Sequence, residues 1–153
     1  MIRPEITVAA VIQGVSALGQ DPDSYLMVEE DVRGALVLNQ PAGHVEHDET
    51  PLQAVIREVH EETRWHFRPT ALIGSYLWRS PRTDDYILRL CFCGEAVSED
   101  TASTLDEGIV AAHWLHEDLV RSSERLRSPF VIACLQDYQS GKRAALETVT
   151  LLP

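Results

Sequence analysis

The chain has 153 residues, of which 44% are hydrophobic and 24% are charged, and these proportions are typical of one soluble globular domain over residues 1–153. Acidic residues outnumber Lys and Arg by 24 to 13, so the formal net charge is −11. This charge argues against a nucleic-acid polymer as a partner, because such binding needs a positive surface. Small phosphorylated ligands stay compatible with it, provided that something offsets the repulsion.

The three cysteines, Cys91, Cys93 and Cys134, do not have the spacing of a disulfide framework or a cysteine-rich zinc site, which favours a reducing, cytoplasmic location. Residues 1–5 place a proline and an acid before the first apolar run, a pattern unlike a signal peptide. No segment approaches the roughly 18 apolar residues of a membrane span. We therefore expect a protein without a membrane partner, as a monomer or a weak homodimer.

Apolar runs and period-two alternation predict six strands, separated by turns rich in Gly, Pro and Asp. The predicted strands cover residues 6–12, 24–28, 35–38, 71–78, 86–93 and 109–115. The acidic residues 29–31 are predicted to form the turn between the second and third strands.

Three helices are predicted. Thr50, Pro51 and Gln53 form a capping-box pattern that opens a helix ending near Thr63. A second helix is predicted over 116–126, and a third from Ser128-Pro129 to a stop at Gly141. Strands dominate without regular βαβ alternation, which favours an α+β fold with a mixed sheet flanked by helices over a Rossmann fold.

On a helix with about 100° per residue, residues 50–64 present two adjacent faces. The face expected to pack on the core is apolar and consists of Leu52, Val55, Ile56 and Val59. The other face carries Glu58, Glu61 and Glu62, whose carboxylates repel one another at spacings of three and four residues.

The acidic face has two interpretations. It is either a solvated surface, or a site where a divalent cation converts the repulsion into coordination. Carboxylate oxygens on a rigid element suit Mg²⁺, which also binds substrate phosphates. Gly43, in the loop before the helix, has the conformational freedom to bring its carbonyl close to a ligand or metal, although ordinary turn chemistry also explains a glycine there.

These residues together resemble the box motif of the Nudix family. The motif consists of Gly43, Glu49 and the segment Arg57-Glu58-Val59-His60-Glu61-Glu62-Thr63-Arg64-Trp65. Arg64 departs from the pattern, because the family usually has a glycine there that ends the helix in a left-handed conformation. Such a conformation costs an arginine about 1 kcal/mol or more.

The resemblance implies the Nudix fold, with a mixed β-sheet sandwiched between α-helices, and Mg²⁺-dependent hydrolysis of a diphosphate, with Mn²⁺ as a substitute metal. It assigns metal binding to Glu58, Glu61 and Glu62, with the Gly43 carbonyl as a further ligand. It also implies an ion pair between Arg57 and Glu49 that fixes the loop against the helix.

The whole chain also resembles the NudJ group of bacterial phosphatases within this family, through residues 39–44, 126–129 and 138–143. That likeness implies release of phosphate from nucleoside tri- and diphosphates, from hydroxymethylpyrimidine diphosphate and from thiamine diphosphate. The alternatives are hydrolysis of an oxidised nucleotide or a dinucleoside polyphosphate, and a ligand sensor without catalysis.

Further residues are candidates for substrate contacts and proton transfer. Arginines are expected at phosphates, and aromatic rings are expected to stack on a base. The candidates are Arg127 and Arg89 for phosphate, Trp78 and Tyr86 for stacking, Arg79 and Arg82 in a covering loop, and Asp106 or Glu107 as the general base or a further metal ligand. We assign no catalytic role to His44, His47 or His60, and no zinc site is predicted.

Overall fold

The computed structural model describes all residues from 1 to 153, and it contains seven strands and three α-helices. The strands are β1 Glu5–Ile12, β2 Ser24–Val32, β3 Ala35–Asn39, β4 Ala42–His44, β5 Trp65–Arg79, β6 Tyr86–Glu99 and β7 Ile109–His116. The α-helices are α1 Pro51–Thr63, α2 Glu117–Ser122 and α3 Phe130–Gln139. None of these helices has the length and apolar character needed to cross a membrane.

The strands form two sheets. One has the order β4-β1-β6-β5 and is mixed, because β1 and β6 run parallel while its other pairs are antiparallel. The other has the order β3-β2-β7 and is antiparallel. The predicted α+β class with a mixed sheet and flanking helices is therefore confirmed, with the addition of a second sheet.

Strand β1 explains why the apolar run at the start of the chain is continuous. Alternate residues of a strand point to opposite faces, and both faces of β1 are covered. Ala9 and Val11 pack in a core with α2 and α3, whereas Val8, Ala10 and Ile12 pack in a core with α1. The four-stranded sheet thus lies between helices.

The predicted turn at residues 29–31 is wrong. These residues continue β2 and pair with β3, and the reversal comes at Arg33 and Gly34, which have φ of 53° and 84°. A two-residue hairpin needs positive φ at its central positions, and Gly34 provides one without strain. Asp31 stabilises the turn by accepting a hydrogen bond from the Gly34 amide at 2.8 Å.

Other predicted boundaries also move. Strands β5 and β6 are longer than expected, because they form one long hairpin whose register shifts at several points. The short strand β4 was not predicted. Helix α2 ends at Ser122 rather than at 126, since the following residues run beside β3 instead, where Leu38 exchanges backbone hydrogen bonds with Arg125 and Arg127.

Helix α1 forms as predicted, but its buried face is rotated. The capping box is present, with the Gln53 amide donating to Thr50 Oγ1 at 3.1 Å and the Thr50 amide donating to Gln53 Oε1 at 2.8 Å. Ile56, which we expected in the core, is 41% exposed, whereas Glu62 is 6% exposed. The rotation turns the carboxylate side of the helix toward the sheets.

Arg64 ends helix α1 in the left-handed conformation that the motif normally gives to glycine. Its φ is 66°, and its amide donates to the His60 carbonyl at 2.7 Å. Its side chain contributes a partly exposed ion pair with Glu99 at 2.8 Å. Arg64 therefore combines a strained backbone conformation with a weak surface ion pair.

We expect Arg64→Gly to raise the free energy of unfolding by about 0–2 kcal/mol. Removing the left-handed strain recovers about 1–2 kcal/mol, from which the loss of a surface ion pair worth roughly 0–1 kcal/mol is subtracted. Urea unfolding followed by circular dichroism measures the change.

The matched control is Arg64→Ala, which removes the ion pair but keeps a Cβ in the left-handed region. This variant should be less stable than Arg64→Gly. If it were the more stable of the two, backbone strain at residue 64 would not be the deciding contribution.

Candidate active site

Arg57 lies at the centre of the acidic cluster on α1. All three of its guanidinium nitrogens donate hydrogen bonds to carboxylate or carbonyl oxygens. Nε and Nη2 form a bidentate pair with Glu49 at 3.0 and 2.7 Å, and Nη2 also bonds the His44 carbonyl at 3.0 Å. This pair ties the loop before α1 to the helix, and it holds the pKa of Glu49 below its usual range.

The third nitrogen of Arg57 serves the neighbouring carboxylates. Nη1 donates to Glu58 Oε1 at 2.8 Å and to Glu61 Oε2 at 3.1 Å. Arg57 does not belong to the glutamate face on a helix with about 100° per residue, but its long side chain reaches across to that face. One cation thus offsets charge on three carboxylates.

Gly43 is needed because Glu58 packs directly against its backbone. A Cβ at residue 43 would lie 2.1 Å from Glu58 Cδ, so any side chain would displace the carboxylate. Gly43 is not among the residues with positive φ, so close approach rather than backbone freedom explains the glycine. The neighbouring residue, Ala42, donates its amide to Glu62 Oε1 at 2.7 Å.

Burial disfavours the ionised forms of Glu58 and Glu62. Desolvation, followed by the charges of Glu30, Glu58 and Asp106, raises the pKa of Glu62 to about 9 against the opposing effect of the Ala42 amide. Desolvation also raises the pKa of Glu58, although Arg57 acts against it. Buried carboxylates that repel one another are stabilised in the ionised form by a nearby cation.

The donor set of this cluster fits a hard divalent cation. Glu58, Glu61 and Glu62 present carboxylate oxygens on one rigid helix, beside the backbone of Gly43. Mg²⁺ prefers such oxygens and is bound through one or two carboxylates together with substrate phosphates and water.

A cavity of about 850 Å³ has residues of strand β4 in its wall. Ala42 and Gly43 belong to that wall, and the same two residues contact Glu62 and Glu58, which do not line the cavity themselves. Its volume lies in the range of small-molecule sites, roughly 300–1,000 Å³. The sequence-predicted residues that line it are Trp78, Arg82, Arg89 and Arg127.

Arg89 is a buried cation in the wall of this cavity. It is 7% exposed, its guanidinium lies 4.5 Å from the centre of the Phe130 ring, and its Nη1 has no hydrogen-bond partner. Burial lowers its pKa below the usual value for arginine, but an arginine stays charged at neutral pH. An unpaired buried donor beside a cavity is suited to an anionic or carbonyl group of a ligand.

The structure adds Glu30 and Asn39, which the sequence did not single out as site residues. Asn39 Nδ2 donates to Glu30 Oε1 at 3.1 Å, and both residues line the cavity. Glu30 was assigned to a turn, because the acidic run of residues 29–31 shows no apolar alternation, and its place in β2 is visible only from the pairing with β3.

Asp106 and Glu107 differ in their relation to the carboxylates. The Asp106 amide donates to the Glu61 carbonyl at 3.0 Å, and its negative charge raises the pKa values of Glu58 and Glu62. Glu107 is the next residue in the same exposed turn, and it is not among the charges that raise either pKa. The backbone hydrogen bond to Glu61 therefore ties Asp106 to the cluster.

Other candidates lie away from the cavity. Tyr86 and Arg79 do not line it; they contact each other, with the Arg79 guanidinium 5.8 Å from the Tyr86 ring centre. The segment 138–143 closes α3, where Gly141 takes a φ of 86°, and none of its residues reaches the cavity.

Comparison with known proteins places the chain among similar sequences and structures. The NUDIX domain family matches residues 11–131. The chain is 34% identical to Phosphatase NudJ of Escherichia coli strain K12 over 149 residues, which cover 97% of this chain and 92% of that protein.

Two solved structures show the same fold. A NUDIX hydrolase from Nitrosomonas europaea superimposes with a TM-score of 0.90 at 43% identity, over 98% of each chain. The MutT protein from Methanosarcina mazei Go1 superimposes with a TM-score of 0.71 at 22% identity, over 94% of this chain and 99% of that one.

Glu62→Gln should change the pH dependence of stability in protein treated with a chelator. The pKa of Glu62 rises from an ordinary 4.5 to about 9 on folding, so the unfolded state loses its proton first and stability falls as the pH rises between these values. The variant lacks this contribution. As the pH rises from about 5 to about 8, the melting temperature of the variant should therefore increase relative to that of the parent protein.

Glu107→Gln is the matched control, because it removes an exposed carboxylate that is not among the charges raising the pKa of Glu62. Its melting temperature should follow the parent protein at every pH. Parallel curves for the parent and Glu62→Gln would show that Glu62 is ionised in the folded, metal-free protein.

Proposed function

The chain belongs to the Nudix family of hydrolases, which act on phosphoanhydride bonds, and from this premise we propose that it is a Mg²⁺-dependent phosphatase of small diphosphates and triphosphates. The proposed substrates are nucleoside tri- and diphosphates, hydroxymethylpyrimidine diphosphate and thiamine diphosphate, each with release of phosphate. The likeness to Phosphatase NudJ over 97% of the chain supports the phosphatase activity.

One observation carries the proposal: the carboxylate cluster of α1 and a cavity that contains a buried guanidinium meet at strand β4. Strand β4 joins the carboxylates to the cavity wall, and Arg89 belongs to that wall. A negatively charged phosphate chain needs both parts, because a cation must separate it from the carboxylates and a donor must orient it.

The charged residues of the motif have different roles in this proposal. Glu58, Glu61 and Glu62 hold the divalent ion, Mg²⁺ or Mn²⁺ in its place. When bound, the ion neutralises charge on the phosphate oxygens and lowers the pKa of a coordinated water. Arg57 and Glu49 keep the three carboxylates in position, through the hydrogen bonds that join the loop to the helix.

The cavity residues bind and orient the substrate. Arg89 and the exposed Arg127 donate to phosphate oxygens, and a guanidinium can do so with two parallel hydrogen bonds. Trp78 offers an aromatic face for a base or pyrimidine ring. Its own ring packs edge-on against the Phe130 ring, with the ring centres 5.6 Å apart.

Asp106 is the proposed general base. Its backbone hydrogen bond to Glu61 fixes it next to the metal-binding turn of α1. An exposed carboxylate in this position can accept a proton from water and release it to solvent.

The cellular setting in this proposal is the cytoplasm, and the three free, buried thiols agree with a reducing compartment. The protein is proposed to act as a monomer or a weak homodimer on small phosphorylated molecules, without nucleic-acid polymers.

Product identification across a panel of diphosphates and triphosphates with Mg²⁺ tests the function. Phosphate should be the first product from a nucleoside triphosphate, and chelation should stop its release. Pyrophosphate as the first product would instead indicate a hydrolase of another substrate, such as an oxidised nucleotide. Binding of these ligands without turnover would indicate a sensor.

Glu61→Gln should lower kcat by at least roughly a hundredfold while the protein stays folded. A metal ligand then loses its charge, and even groups that only support metal ligands contribute 10–100-fold. Steady-state phosphate release measures kcat, and the melting temperature without metal reports the fold. Near-normal turnover would contradict the assignment of Glu61 as a ligand.

Asp106→Asn should lower kcat by roughly 10²–10⁴-fold, the contribution typical of a general base. Glu107→Gln is the control at the adjacent residue, and it should keep parental turnover because Glu107 is not among the charges that raise the pKa values of Glu58 and Glu62. The pH–rate profile separates the two roles, because loss of a base removes the acidic limb of the profile. Equal effects of both variants would mean that the turn acts only by its net charge.

A further inference from the structure

A second group of side chains with metal-ligating atoms lies away from the cavity, at the end of helix α1. His60 of α1, His66 of β5 and Asp100 after β6 place their ligand atoms within 4.8 Å of one another. None of the three lines the cavity. The sequence predicted no zinc site, because the two histidines are six residues apart and the aspartate is brought in only by the long β5–β6 hairpin.

Two of the three side chains already meet, because His60 Nε2 and Asp100 Oδ2 are 3.1 Å apart. The His66 ring stacks on the His60 ring with their centres 5.0 Å apart, so a rotation of His66 is needed to bring its nitrogen to the same point. Asp100 is held by hydrogen bonds from Ser103 Oγ and from the Ala102 amide. Such support of a ligand by its neighbours is typical of metal sites.

The ligand types select the class of metal. Two imidazoles and one carboxylate form a set common at Zn²⁺, whereas Mg²⁺ prefers oxygen ligands alone. Tetrahedral Zn²⁺ with bonds near 2.0–2.1 Å places its ligand atoms about 3.3 Å apart. The His60–Asp100 pair meets this spacing, and the exposed side chain of His66 can rotate to close the remaining gap.

The backbone around the cluster connects it to the carboxylate helix. The Asp100 amide donates to the Arg64 carbonyl at 2.7 Å, and the Asp106 amide donates to the Glu61 carbonyl at 3.0 Å. A metal at His60, His66 and Asp100 would therefore fasten the last turn of α1 to β5 and to the loop that carries Asp106.

We propose that His60, His66 and Asp100 form a second metal site, for Zn²⁺ or a chemically similar ion such as Co²⁺, which stabilises the end of α1. Water supplies the fourth ligand. The site is separate from the proposed Mg²⁺ cluster in its place, its ligands and its metal, and it does not depend on the proposed phosphatase activity.

Isothermal titration with Zn²⁺ in excess Mg²⁺ tests the site, because Mg²⁺ competes for the carboxylate cluster but not for imidazoles. We expect one Zn²⁺ per chain and a higher melting temperature. His66→Gln and Asp100→Asn should each weaken binding by roughly 10–100-fold or more, since even supporting residues contribute that much. His66 is exposed, so its variant folds whatever the effect of Asp100→Asn on the loop.

His113→Gln is the matched control, since His113 forms a similar pair with Glu29 at 2.8 Å without a third ligand. Its Zn²⁺ affinity should equal that of the parent protein. The visible absorption of bound Co²⁺ is a second measurement, because a tetrahedral site with nitrogen ligands absorbs far more strongly than an octahedral oxygen site. Parental Zn²⁺ affinity in His66→Gln, or Zn²⁺ binding lost in Glu61→Gln instead, would overturn the proposal.

Discussion

The guanidinium of Arg57 is the interaction on which the rest of the site depends. Glu49, Glu58 and Glu61 all accept hydrogen bonds from it, and so does the carbonyl of His44. Without this cation the loop before α1 and the acidic face of α1 would repel each other. Because an arginine is charged at all physiological pH values and has a planar fork of donors, it can hold several carboxylates in one arrangement.

Burial then divides the carboxylates into different chemical environments. Glu62 is the most enclosed, because the rotation of α1 turns it toward the sheets, and its pKa rises furthest. Glu49 is ionised by its pairing with Arg57. The close approach of Gly43 completes the arrangement, since it lets Glu58 lie directly on strand β4.

The net charge of −11 acquires a local meaning in the structure. Part of it is concentrated on α1, next to a cavity whose wall contains the buried cation Arg89. Within the cavity wall itself, the carboxylate of Glu30 and the guanidinium of Arg89 come from different strands. A small polyphosphate together with a divalent cation complements both, which removes the apparent conflict between an acidic protein and an anionic substrate.

The limits of α1 could be predicted from the chain alone, because capping and the spacing of residues along a helix are local properties. The resemblance to the family motif implied the fold, the pairing of Arg57 with Glu49 and a left-handed end at residue 64, and the structure has all three. The rotation of α1, the course of β2 through Glu30 and the meeting of His60, His66 and Asp100 became visible only in the folded chain. These depend on how sheets and helices pack, and packing joins residues that no local pattern connects.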